Sequence, residues 1–499
     1  MPGTSQTKRV TQIKALARQQ RGNSMENLRK FYIDGAWVEP DSTETMPVIN
    51  PATEATLGTV ALGNANDVDR AVAAASRAFE SWGLAPKSER LALLERIKDV
   101  TEARFEDLAQ AMREEMGSPI TFAREAQADA AIGHLQGFID ALKALEEETD
   151  LGDGERLLRE PIGVCGLITP WNWPINQIAL KVLPALAAGC TCVLKPSEHT
   201  PLSALVYTEI LHEAGCPPGT YNLVNGEGPV VGSAMSCHPD IQMMSFTGST
   251  RAGTAVTRES APTVKRVTLE LGGKSANLVF ADCDLEPQVR NAVAECMANT
   301  GQSCDAPTRL LVERSCYEEV IEIARQATID TKVGAPDEEG DHIGPLFDRI
   351  QFDRVQNLIG VGIDEGAKLL VGGLGRPAGF DAGWYVQPTL FVDVHNQMRI
   401  AREEVFGPVL VIIPFDTEEE AIAIANDSPY GLAAYLQTGD PDRARRVAGR
   451  LRAGAVHING GYYQYGSPFG GYKQSGNGRE GGVMGLEDYQ EVKVLHGLG

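Results

Sequence analysis

The spacing of apolar side chains along the first part of the chain is helical. Between residues 66 and 82, Val68, Val72, Ala75 and Phe79 recur at intervals of three or four positions, behind Asn and Asp residues suited to capping a helix. The segment 88–116 continues in the same style. This pattern predicts amphipathic helices over 66–82 and 88–116.

From Pro161 onward the pattern changes to short apolar runs that alternate with longer helical stretches. The runs are VCGLI, CVLK, YNLV, MMSFTG and VTLEL. Such alternation predicts βαβ units around a parallel sheet. Because ligands bind at the carboxyl ends of the strands in an open α/β sheet, we expect a binding crevice beside TPWN, KPSE, NGEG and TGST, which follow these runs.

A second block of the same kind begins near Leu271. It contains the run RLLVE, a helical pattern at 317–331, and the run VLVIIPF after EEVFGP. The sequence therefore predicts an α/β protein with a first domain at 29–140 and 163–270 and a second at 271–475. The segments 141–162 and 476–499 are expected to form an edge hairpin that pairs with another subunit; a solvated loop and a frayed tail are the alternative.

Composition excludes several classes of partner. Sixty-seven acidic and 45 basic side chains give a net charge of −22, which disfavours binding to nucleic acid and to anionic membranes. No apolar run approaches the roughly 18 residues needed to cross a bilayer. The nine cysteines form no CxxC or zinc-type spacing. We therefore expect reduced thiols, no metal site, no membrane contact and a cytoplasmic location.

The amino-terminal segment has its own composition. Five basic residues and no acidic residue precede Glu26. We expect residues 1–28 to form a disordered extension, and a targeting presequence is the alternative that such a basic, acid-poor segment allows.

Three residues are candidates for catalysis. Cys304 follows GQS in a predicted loop, and a thiolate there can hold a substrate carbon covalently. Glu270 ends the strand-like run VTLEL, and a carboxylate can activate the water that releases the carbon. A loop cysteine is more often inert and a strand-end glutamate is usually solvated, so burial of Glu270 would decide its role. Asn172 in PWNWP is either an oxyanion donor or a turn residue.

Several loops have the composition of a nucleotide site, although the GxGxxG spacing is absent. Amide hydrogens at the start of a helix can face an anion, and a lysine and a glutamate three residues apart can both reach one nucleotide. These candidates are Gly226, Gly228 and Gly232 in NGEGPVVG, Gly248 and Ser249 in FTGST, and Lys195 and Glu198 in LKPSE.

Together the motifs TPWNWP, LKPSE, FTGST, LELGGKS, GQSC, EEVFGPV and PFGGYKQSGNGRE resemble the aldehyde dehydrogenase superfamily in their order and spacing. The resemblance extends from about Phe31 to Leu495. It implies a Rossmann-like cofactor domain, a second α/β catalytic domain and a small β oligomerisation hairpin, assembled as a homodimer or homotetramer. It also implies the oxidation of a small-molecule aldehyde to a carboxylic acid with NAD, by the NAD(P)-dependent, hydrolytic type of enzyme.

The resemblance assigns a role to five catalytic positions. Cys304 corresponds to the nucleophile that forms a thiohemiacetal and then a thioester. Asn172 and the backbone amide of Cys304 correspond to the oxyanion hole. Glu270 corresponds to the base that activates the hydrolytic water, and Lys181 and Glu480 to a supporting proton relay.

Other motif positions are implied to contact the cofactor. Lys195 and Glu198 would hold the adenosine ribose, and Glu404 and Phe406 the nicotinamide ribose and ring. Glu198 favours NAD because a carboxylate repels a 2′-phosphate, while Lys195 softens that preference and leaves NADP as an option. The full implied set is Ile168, Thr169, Pro170, Trp171, Lys195, Ser197, Glu198, Gly228, Gly232, Phe246, Thr247, Gly248, Ser249, Ala252, Leu271, Gly272, Glu404 and Phe406.

The positions that correspond to the family's aldehyde tunnel are Trp173, Gln177, Ser303, Asp305, Tyr463 and Phe469. Asp305 would disfavour a substrate carboxylate if it points into the tunnel, but a role as a turn partner in the wall is the interpretation we favour. The aromatic run GYYQYGSPFGG favours long-chain apolar or aromatic aldehydes. Phenylalanine rather than tryptophan at 469 argues against a quaternary-ammonium aldehyde.

Three other functions remain as alternatives. A coenzyme A-acylating member of the family would not need the hydrolytic base, so Glu270 argues against it. A catalytically silent structural or binding protein would not need to retain Cys304, Glu270, Asn172 and Lys195. A cofactor-free cysteine hydrolase needs a histidine base, and none of the eight histidines lies in these motifs.

Overall fold

Two large sheets, each flanked by helices, organise the part of the chain that the structure describes. The structure is a computed structural model, and residues 26–497 are described. Within these residues an eight-stranded and a seven-stranded sheet are accompanied by a three-stranded and a two-stranded sheet. Residues 1–25 of the expected extension 1–28 lie outside the described residues, whereas Leu28, at its end, is buried in the core.

The strands are numbered in chain order. They are β1 (Phe31–Ile33), β2 (Ala36–Val38), β3 (Thr45–Ile49), β4 (Thr56–Ala61), β5 (Glu148–Gly152), β6 (Glu155–Pro161), β7 (Val164–Ile168), β8 (Thr191–Lys195), β9 (Tyr221–Leu223), β10 (Met243–Gly248), β11 (Arg266–Leu271), β12 (Ala276–Val279), β13 (Arg309–Glu313), β14 (Lys368–Val371), β15 (Thr389–Val392), β16 (Val409–Phe415), β17 (Ala433–Gln437), β18 (Ala455–Ile458), β19 (Gly476–Asn477) and β20 (Gln490–Leu495).

The α-helices of the described residues are Ala65–Trp82, Lys87–Ala103, Phe105–Glu115, Ile120–Phe122, Asp129–Ala144, Pro174–Ala188, Pro201–Glu213, Ser233–Cys237, Thr250–Ser260, Leu285–Met297, Tyr317–Asp330, Arg349–Asp364, Arg399–Arg402, Glu418–Asn426, Pro441–Ala448 and Gly482–Glu487. Two π-helical turns, at Ala123–Ala128 and Gly228–Gly232, precede the helices at Asp129 and Ser233.

The predicted amino-terminal helices are confirmed. The Asn64 side chain accepts hydrogen bonds from the backbone amides of Asn66 and Asp67, and the Asp67 carboxylate accepts one from the Asn64 amide, which is a capping box for the helix Ala65–Trp82. The predicted helix at 88–116 is divided at Arg104, where φ is −103° and ψ is 12°. The division gives the two helices Lys87–Ala103 and Phe105–Glu115.

The eight-stranded sheet has the order β19-β11-β10-β7-β8-β9-β1-β2. Strands β7 to β11 pair in parallel, as the alternating pattern predicted. Strands β1, β2 and β19 add antiparallel edges that the sequence did not predict. These edge strands have three residues or fewer, which is too short for an apolar period to be recognised.

The seven-stranded sheet has the order β14-β15-β16-β13-β12-β17-β18 and is parallel apart from β14. The runs RLLVE and VLVIIPF form the neighbouring strands β13 and β16. The helix predicted at 317–331 is present as Tyr317–Asp330. The inner strands β12, β13, β15, β16 and β17 are almost fully buried, whereas the edge strands β14 and β18 are partly exposed.

The three-stranded sheet has the order β20-β6-β5. Parts of the segments 141–162 and 476–499 therefore form paired strands, and not the solvated loop and frayed tail of the alternative prediction. The expected carboxyl-terminal segment is divided, because Gly476 and Asn477 pair with β11 in the eight-stranded sheet. Gly476 has a φ of 121°, and a Cβ there would lie 2.0 Å from the Leu269 carbonyl oxygen, so this close approach requires glycine.

Two searches over residues 26–497 bear on possible partners. No helix in this range combines the length and the apolar character needed to span a membrane. In the same range, no three or more His, Cys, Asp or Glu side chains are grouped so that they could hold a metal ion.

Candidate active site

Cys304 lies in a turn whose approach has an unusual backbone. Asn299 and Thr300 have φ values of 52° and 58°, followed by Gly301 at 71°. A β-branched residue such as Thr300 rarely adopts this left-handed conformation. A Cβ on Gly301 would lie 2.1 Å from the Gly407 carbonyl oxygen, so the segment is held tightly against a second loop. The surrounding structure therefore fixes the position of the Cys304 turn.

Glu270 is buried near the end of β11, with only 2% of its surface exposed. Neither carboxylate oxygen has a hydrogen-bond partner among the described residues. Burial raises the pKa of Glu270 well above its usual value, and the Glu480 carboxylate raises it further, while Lys181 lowers it. A buried, unpartnered carboxyl group with a raised pKa has the properties of a general base.

The Cys304 thiol lies beside Glu270. Burial raises the pKa of the Cys304 thiol well above its usual value, and the charge of Glu270 raises it further. The LELGGKS loop reaches this turn at Gly273, where a Cβ would lie 2.3 Å from the Cys304 carbonyl oxygen. The Glu270 carboxyl group is therefore close enough to the thiol to exchange a proton with it.

Asn172 is fixed beside the same turn. Its Nδ2 donates to the Gln302 carbonyl at 2.9 Å. The backbone carbonyl of Asn172 accepts hydrogen bonds from Gln127 Nε2 at 3.1 Å and from Asn299 Nδ2 at 2.9 Å. Because an amide nitrogen carries two hydrogens, one remains available for a developing oxyanion. Gln127 and Asn299 were not predicted, since no motif in the sequence marks them.

Lys181 and Glu480 form a buried ion pair behind Glu270. The second carboxylate oxygen of Glu480 has no partner among the described residues. The backbone of Glu480 exchanges two hydrogen bonds of 2.7 Å with Phe469. The pair therefore links the Glu270 carboxyl group to the segment 463–469, which contains the predicted tunnel residues Tyr463 and Phe469.

Lys195 lies at the carboxyl end of β8 and holds Glu198. Its Nζ donates to Glu198 Oε2 at 2.9 Å and to the Gly226 carbonyl at 2.7 Å. Burial raises the pKa of Glu198, but the Lys195 ammonium, a backbone hydrogen bond and His199 together outweigh burial and keep the pKa of this carboxyl group below its usual value. A charged carboxylate is the form that accepts hydrogen bonds from ribose hydroxyls.

Residues at neighbouring strand ends fit a dinucleotide. The hydroxyl groups of Thr169 and Thr247, which lie at the ends of β7 and β10, are buried without a partner among the described residues. Ser249 caps the helix Thr250–Ser260, and its side chain accepts a hydrogen bond from the Ala252 amide. The other predicted cofactor positions on this side, which lie in or next to the same strand ends and helix starts, are Ile168, Pro170, Ser197, Gly228, Gly232, Phe246, Gly248, Ala252 and Leu271.

The opposite wall of the crevice comes from the loop before β16. Glu404 Oε1 accepts a hydrogen bond from the Gly273 amide at 3.1 Å. A Cβ on Gly272 would lie 2.4 Å from Glu404 Oε2, so only glycine permits this approach. Phe406 has a φ of 58°, and its carbonyl accepts a hydrogen bond from Gln351 Nε2 at 2.7 Å. The two predicted nicotinamide-side residues are therefore held in place by the backbone around them.

Trp171 joins the two walls. Its ring stacks on Phe347 at 3.7 Å and 19°, and it meets Phe406 edge-on at 5.4 Å. Phe347 was not predicted, because it lies in a loop without a recognisable motif. The structure thus brings the loops of the two large sheets together at the predicted crevice.

Of the predicted tunnel residues, Ser303 and Asp305 adjoin Cys304 in the chain. Trp173 Nε1 donates to Ser303 Oγ at 2.9 Å, and Tyr463 meets Phe469 edge-on at 6.0 Å. Gln177 is buried on the helix Pro174–Ala188.

Asp305 is partly exposed in the same turn as Cys304. Burial raises the pKa of its carboxyl group, and His457 partly offsets that effect. Its backbone carbonyl accepts a hydrogen bond from the Tyr435 hydroxyl at 3.2 Å. The carboxyl group also raises the pKa of Cys304, so it lies within electrostatic range of the thiol.

Fold and site together define an α/β protein with a buried carboxylate and a cysteine beside a nucleotide-type crevice. A profile of the aldehyde dehydrogenase family matches residues 37–495. The 3-succinoylsemialdehyde-pyridine dehydrogenase of a Pseudomonas species is 52% identical over 474 residues, which cover 95% of this chain and 99% of that protein. The chain belongs to the aldehyde dehydrogenase family.

Solved structures agree with this assignment. Aldehyde dehydrogenase C of Pseudomonas syringae, as a mutant complexed with NAD+ and octanal, has a TM-score of 0.94 and 51% identity, and the match covers 95% of this chain and 98% of that chain. An aldehyde dehydrogenase of Mycobacterium tuberculosis complexed with NAD+ has a TM-score of 0.91 and 41% identity, over 94% of this chain and 97% of that chain.

Proposed function

We propose that this protein oxidises an aldehyde to a carboxylic acid with NAD+, through a covalent intermediate on Cys304. The observation that carries the proposal is the burial of the Glu270 carboxyl group, without a hydrogen-bond partner, beside the Cys304 thiol. The crevice next to this pair offers unpartnered buried hydroxyls and a helix start, which suit a dinucleotide. Relatives crystallised with NAD+ support the choice of cofactor.

In the first half of the proposed reaction, Cys304 adds to the aldehyde carbon. The thiol proton passes to Glu270, a C–S bond forms, and the carbonyl oxygen becomes the oxyanion of a thiohemiacetal. Glu270 then passes that proton to the Lys181–Glu480 pair and is again a carboxylate. The Asn172 amide and the Cys304 backbone N–H face this oxyanion, and deletion of one such donor typically costs about 3–4 kcal/mol of transition-state stabilisation. Glu198 and Glu404 would hold NAD+, which would supply the acceptor for a hydride from this carbon; as the C–O bond of the oxyanion becomes C=O, a thioester on Cys304 would remain.

In the second half, Glu270 takes a proton from the water that attacks the thioester carbon. The C–S bond breaks, the thiol recovers a proton, and the carboxylic acid leaves. Lys181 and Glu480, which lie behind Glu270, carry the proton away from the base. The coenzyme A-acylating alternative gives no role to a buried Glu270, so hydrolysis is the better account.

We propose NAD+ rather than NADP+ as the preferred cofactor. The Lys195 ammonium keeps Glu198 ionised, and a carboxylate at the ribose repels a 2′-phosphate. The same ammonium lies 2.9 Å from Glu198 and offers a positive partner to a phosphate, so NADP+ is expected to work less well rather than not at all.

The proposed substrates are uncharged aldehydes with an apolar or aromatic body. Tyr463, Phe469 and Trp173 supply aromatic surface, and the Asp305 carboxyl group opposes a second negative charge near the thiol. The name of one relative joins a semialdehyde to a pyridine, and another relative was crystallised with octanal. Both names fit this class.

Assembly and location are further proposals. The strand Gln490–Leu495 leaves Val492 and Val494 61% and 39% exposed, and such an apolar strand suits pairing with a second copy of the chain. We propose a homodimer or homotetramer on this basis. All nine cysteines are free thiols, which is consistent with a cytoplasmic location.

An activity assay tests the proposed function. The purified protein is mixed with NAD+ or NADP+ and a panel of aliphatic, aromatic and carboxylate-bearing aldehydes, and the absorbance of the reduced cofactor is followed. We expect turnover that is faster with NAD+ and with uncharged aldehydes, and none with Cys304→Ala. Absence of turnover with every aldehyde, or full turnover by Cys304→Ala, would contradict the proposal.

A further inference from the structure

The segment 462–469 crosses one face of the helix Asp129–Ala144. The ring of Tyr465 covers Gly133, where a Cβ would lie 2.2 to 2.5 Å from three ring carbons. The Tyr465 hydroxyl donates to Asp129 Oδ2 at 3.1 Å. A Cβ on Gly137 would lie 3.1 Å from the Gly466 nitrogen. Because positions i and i+4 share a helix face, the missing side chains at 133 and 137 leave a slot for the segment.

Tyr465 connects to the aromatic side chains that face the site. It meets Tyr463 edge-on at 6.4 Å, and Tyr463 meets Phe469 edge-on at 6.0 Å. The Tyr463 hydroxyl donates to the Ser467 carbonyl at 2.9 Å, which closes the segment on itself. A movement of Tyr465 must therefore displace Tyr463 and Phe469 as well.

His134 connects the segment 462–469 to the helix Pro174–Ala188. Its ring meets Tyr465 edge-on at 5.0 Å, and its Nε2 lies 2.7 Å from Asn176 Oδ1. Asn176 directly precedes Gln177 on the helix Pro174–Ala188. Burial lowers the pKa of His134 to about 4, so the ring is uncharged near neutral pH and the contact does not change with pH there.

We infer that Tyr465 is a positioning residue for substrate selection: seated on Gly133 and bonded to Asp129, it holds Tyr463 and Phe469 in the arrangement that receives the distal part of a long aldehyde. The inference rests on the proposed function. Cys304, Asn172 and the cofactor act on the aldehyde carbon, whereas these rings meet only the carbons beyond it. Tyr465 therefore affects long substrates and leaves short ones unaffected.

Two single variants test the inference in different ways. Gly133→Ala places a methyl group where the ring lies, and Tyr465→Ala removes the ring. For each, we expect kcat/KM for octanal to fall about tenfold through KM, the scale expected for lost aromatic contacts, while kcat/KM for acetaldehyde changes less than about twofold. The KM for NAD+ stays unchanged. Tyr465→Phe keeps the ring and restores most of the octanal preference.

The controls separate positioning from a general loss of structure. Gly360→Ala is matched, because Gly360 also lies inside a helix and has open space where its Cβ would be. It should leave the ratio of the two kcat/KM values unchanged. In the double variant Gly133→Ala/Tyr465→Ala the new methyl group has no ring to displace, so its effect should equal that of Tyr465→Ala alone. This cycle remains informative if Gly133→Ala alone folds poorly.

The outcomes distinguish the two proposals. If the unmodified protein oxidises no aldehyde, the proposed function fails. If it oxidises both aldehydes but Tyr465→Ala leaves the octanal-to-acetaldehyde ratio unchanged, the function stands and the positioning role of Tyr465 is overturned. Equal losses for octanal and acetaldehyde, or additive effects in the double variant, also overturn that role.

Discussion

Two side chains with raised pKa values determine the chemistry of the site at the residue scale. Burial and the Glu480 carboxylate raise the pKa of Glu270, and burial and Glu270 raise the pKa of Cys304. A base is most effective when its pKa lies near the working pH, and a solvated glutamate lies below that range. The position of Glu270 inside the protein therefore suits it to deprotonate both the thiol and the hydrolytic water.

Lys181→Met should move the pH dependence of the proposed reaction. Glu270 acts as a carboxylate, so kcat is lost as the pH falls through its raised pKa. Lys181 lowers this pKa and opposes the effect of Glu480, so its removal shifts the acid limb to higher pH. The measurement is kcat against pH, with the exposed Lys493→Met as control. An acid limb that stays in place would exclude the coupling between Lys181 and Glu270.

Residues differ in how far the sequence reveals them. Cys304 and Glu270 were candidates because loop and strand-end positions are visible in the local pattern. The burial of Glu270 was not, because the segments beside it, which contain Gly476 and Glu480, lie far along the chain. Gln127 likewise reaches Asn172 across a large sequence separation, and no local pattern marks such a contact.

At the scale of elements, the helix Pro201–Glu213 is capped by a carboxyl group from a distant part of the chain. The helix Pro201–Glu213 has no cap from its own first residues. Glu115, which ends the helix Phe105–Glu115, is fully buried and accepts hydrogen bonds from the backbone amides of Leu202 and Ser203. One buried carboxyl group therefore satisfies two helix-end amides and joins two helices.

Glu115→Gln should destabilise the protein. The amide nitrogen of glutamine cannot accept a hydrogen bond, so one buried backbone N–H loses its partner. We expect a loss of about 1–3 kcal/mol in the free energy of unfolding, measured by denaturant titration. Glu318→Gln, at an exposed position in the first turn of the helix Tyr317–Asp330, is the matched control and should change stability by less than about 0.5 kcal/mol. Equal stability of the two variants would refute the capping role.

The sequence predicted the elements in which apolar residues form a recognisable pattern within one continuous stretch of the chain. The parallel strands β7 to β11, the helix Tyr317–Asp330 and the helix Ala65–Trp82 were all recognised from spacing alone. The edge strands β1, β2 and β19 were not: β1 and β2 form a short hairpin that joins the sheet through the distant β9, and β19 pairs with the distant β11. The chemistry at Glu270 depends on one of these edges, because β19 lies directly beside it.

The whole molecule presents an unusual surface at its carboxyl terminus. Strand β20 pairs only with β6 and exposes Val492 and Val494. Arg266 ties this strand to the first sheet, because its Nη1 donates to the carbonyls of Asp488 and Gln490 at 2.7 Å each. Rigid attachment of an apolar strand is what an interface between copies of the chain requires.

Val492→Lys should therefore reduce the size of the assembly. A charge on the exposed edge of β20 opposes burial against a second copy. We expect a shift toward monomer in light scattering coupled to gel filtration. Leu84→Lys, at a residue that is 84% exposed elsewhere on the surface, should leave the mass unchanged. An unchanged mass for Val492→Lys, or a monomeric unmodified protein, would contradict the proposed interface.

The central claim is that Cys304 carries the acyl group during turnover, and the most direct test is to measure the mass of the protein while it reacts. The variant Glu270→Gln is mixed with NAD+ and octanal, and the reaction is quenched with acid. The protein is then digested, and the mass of the peptide that contains Cys304 is measured by mass spectrometry. We predict about one equivalent of reduced cofactor, formed more slowly than in the unmodified protein because the thiol has lost its base, and an octanoyl group on Cys304 that persists because no base activates the water. Formation of reduced cofactor with no acyl group on Cys304, or with the acyl group on another residue, would contradict the account.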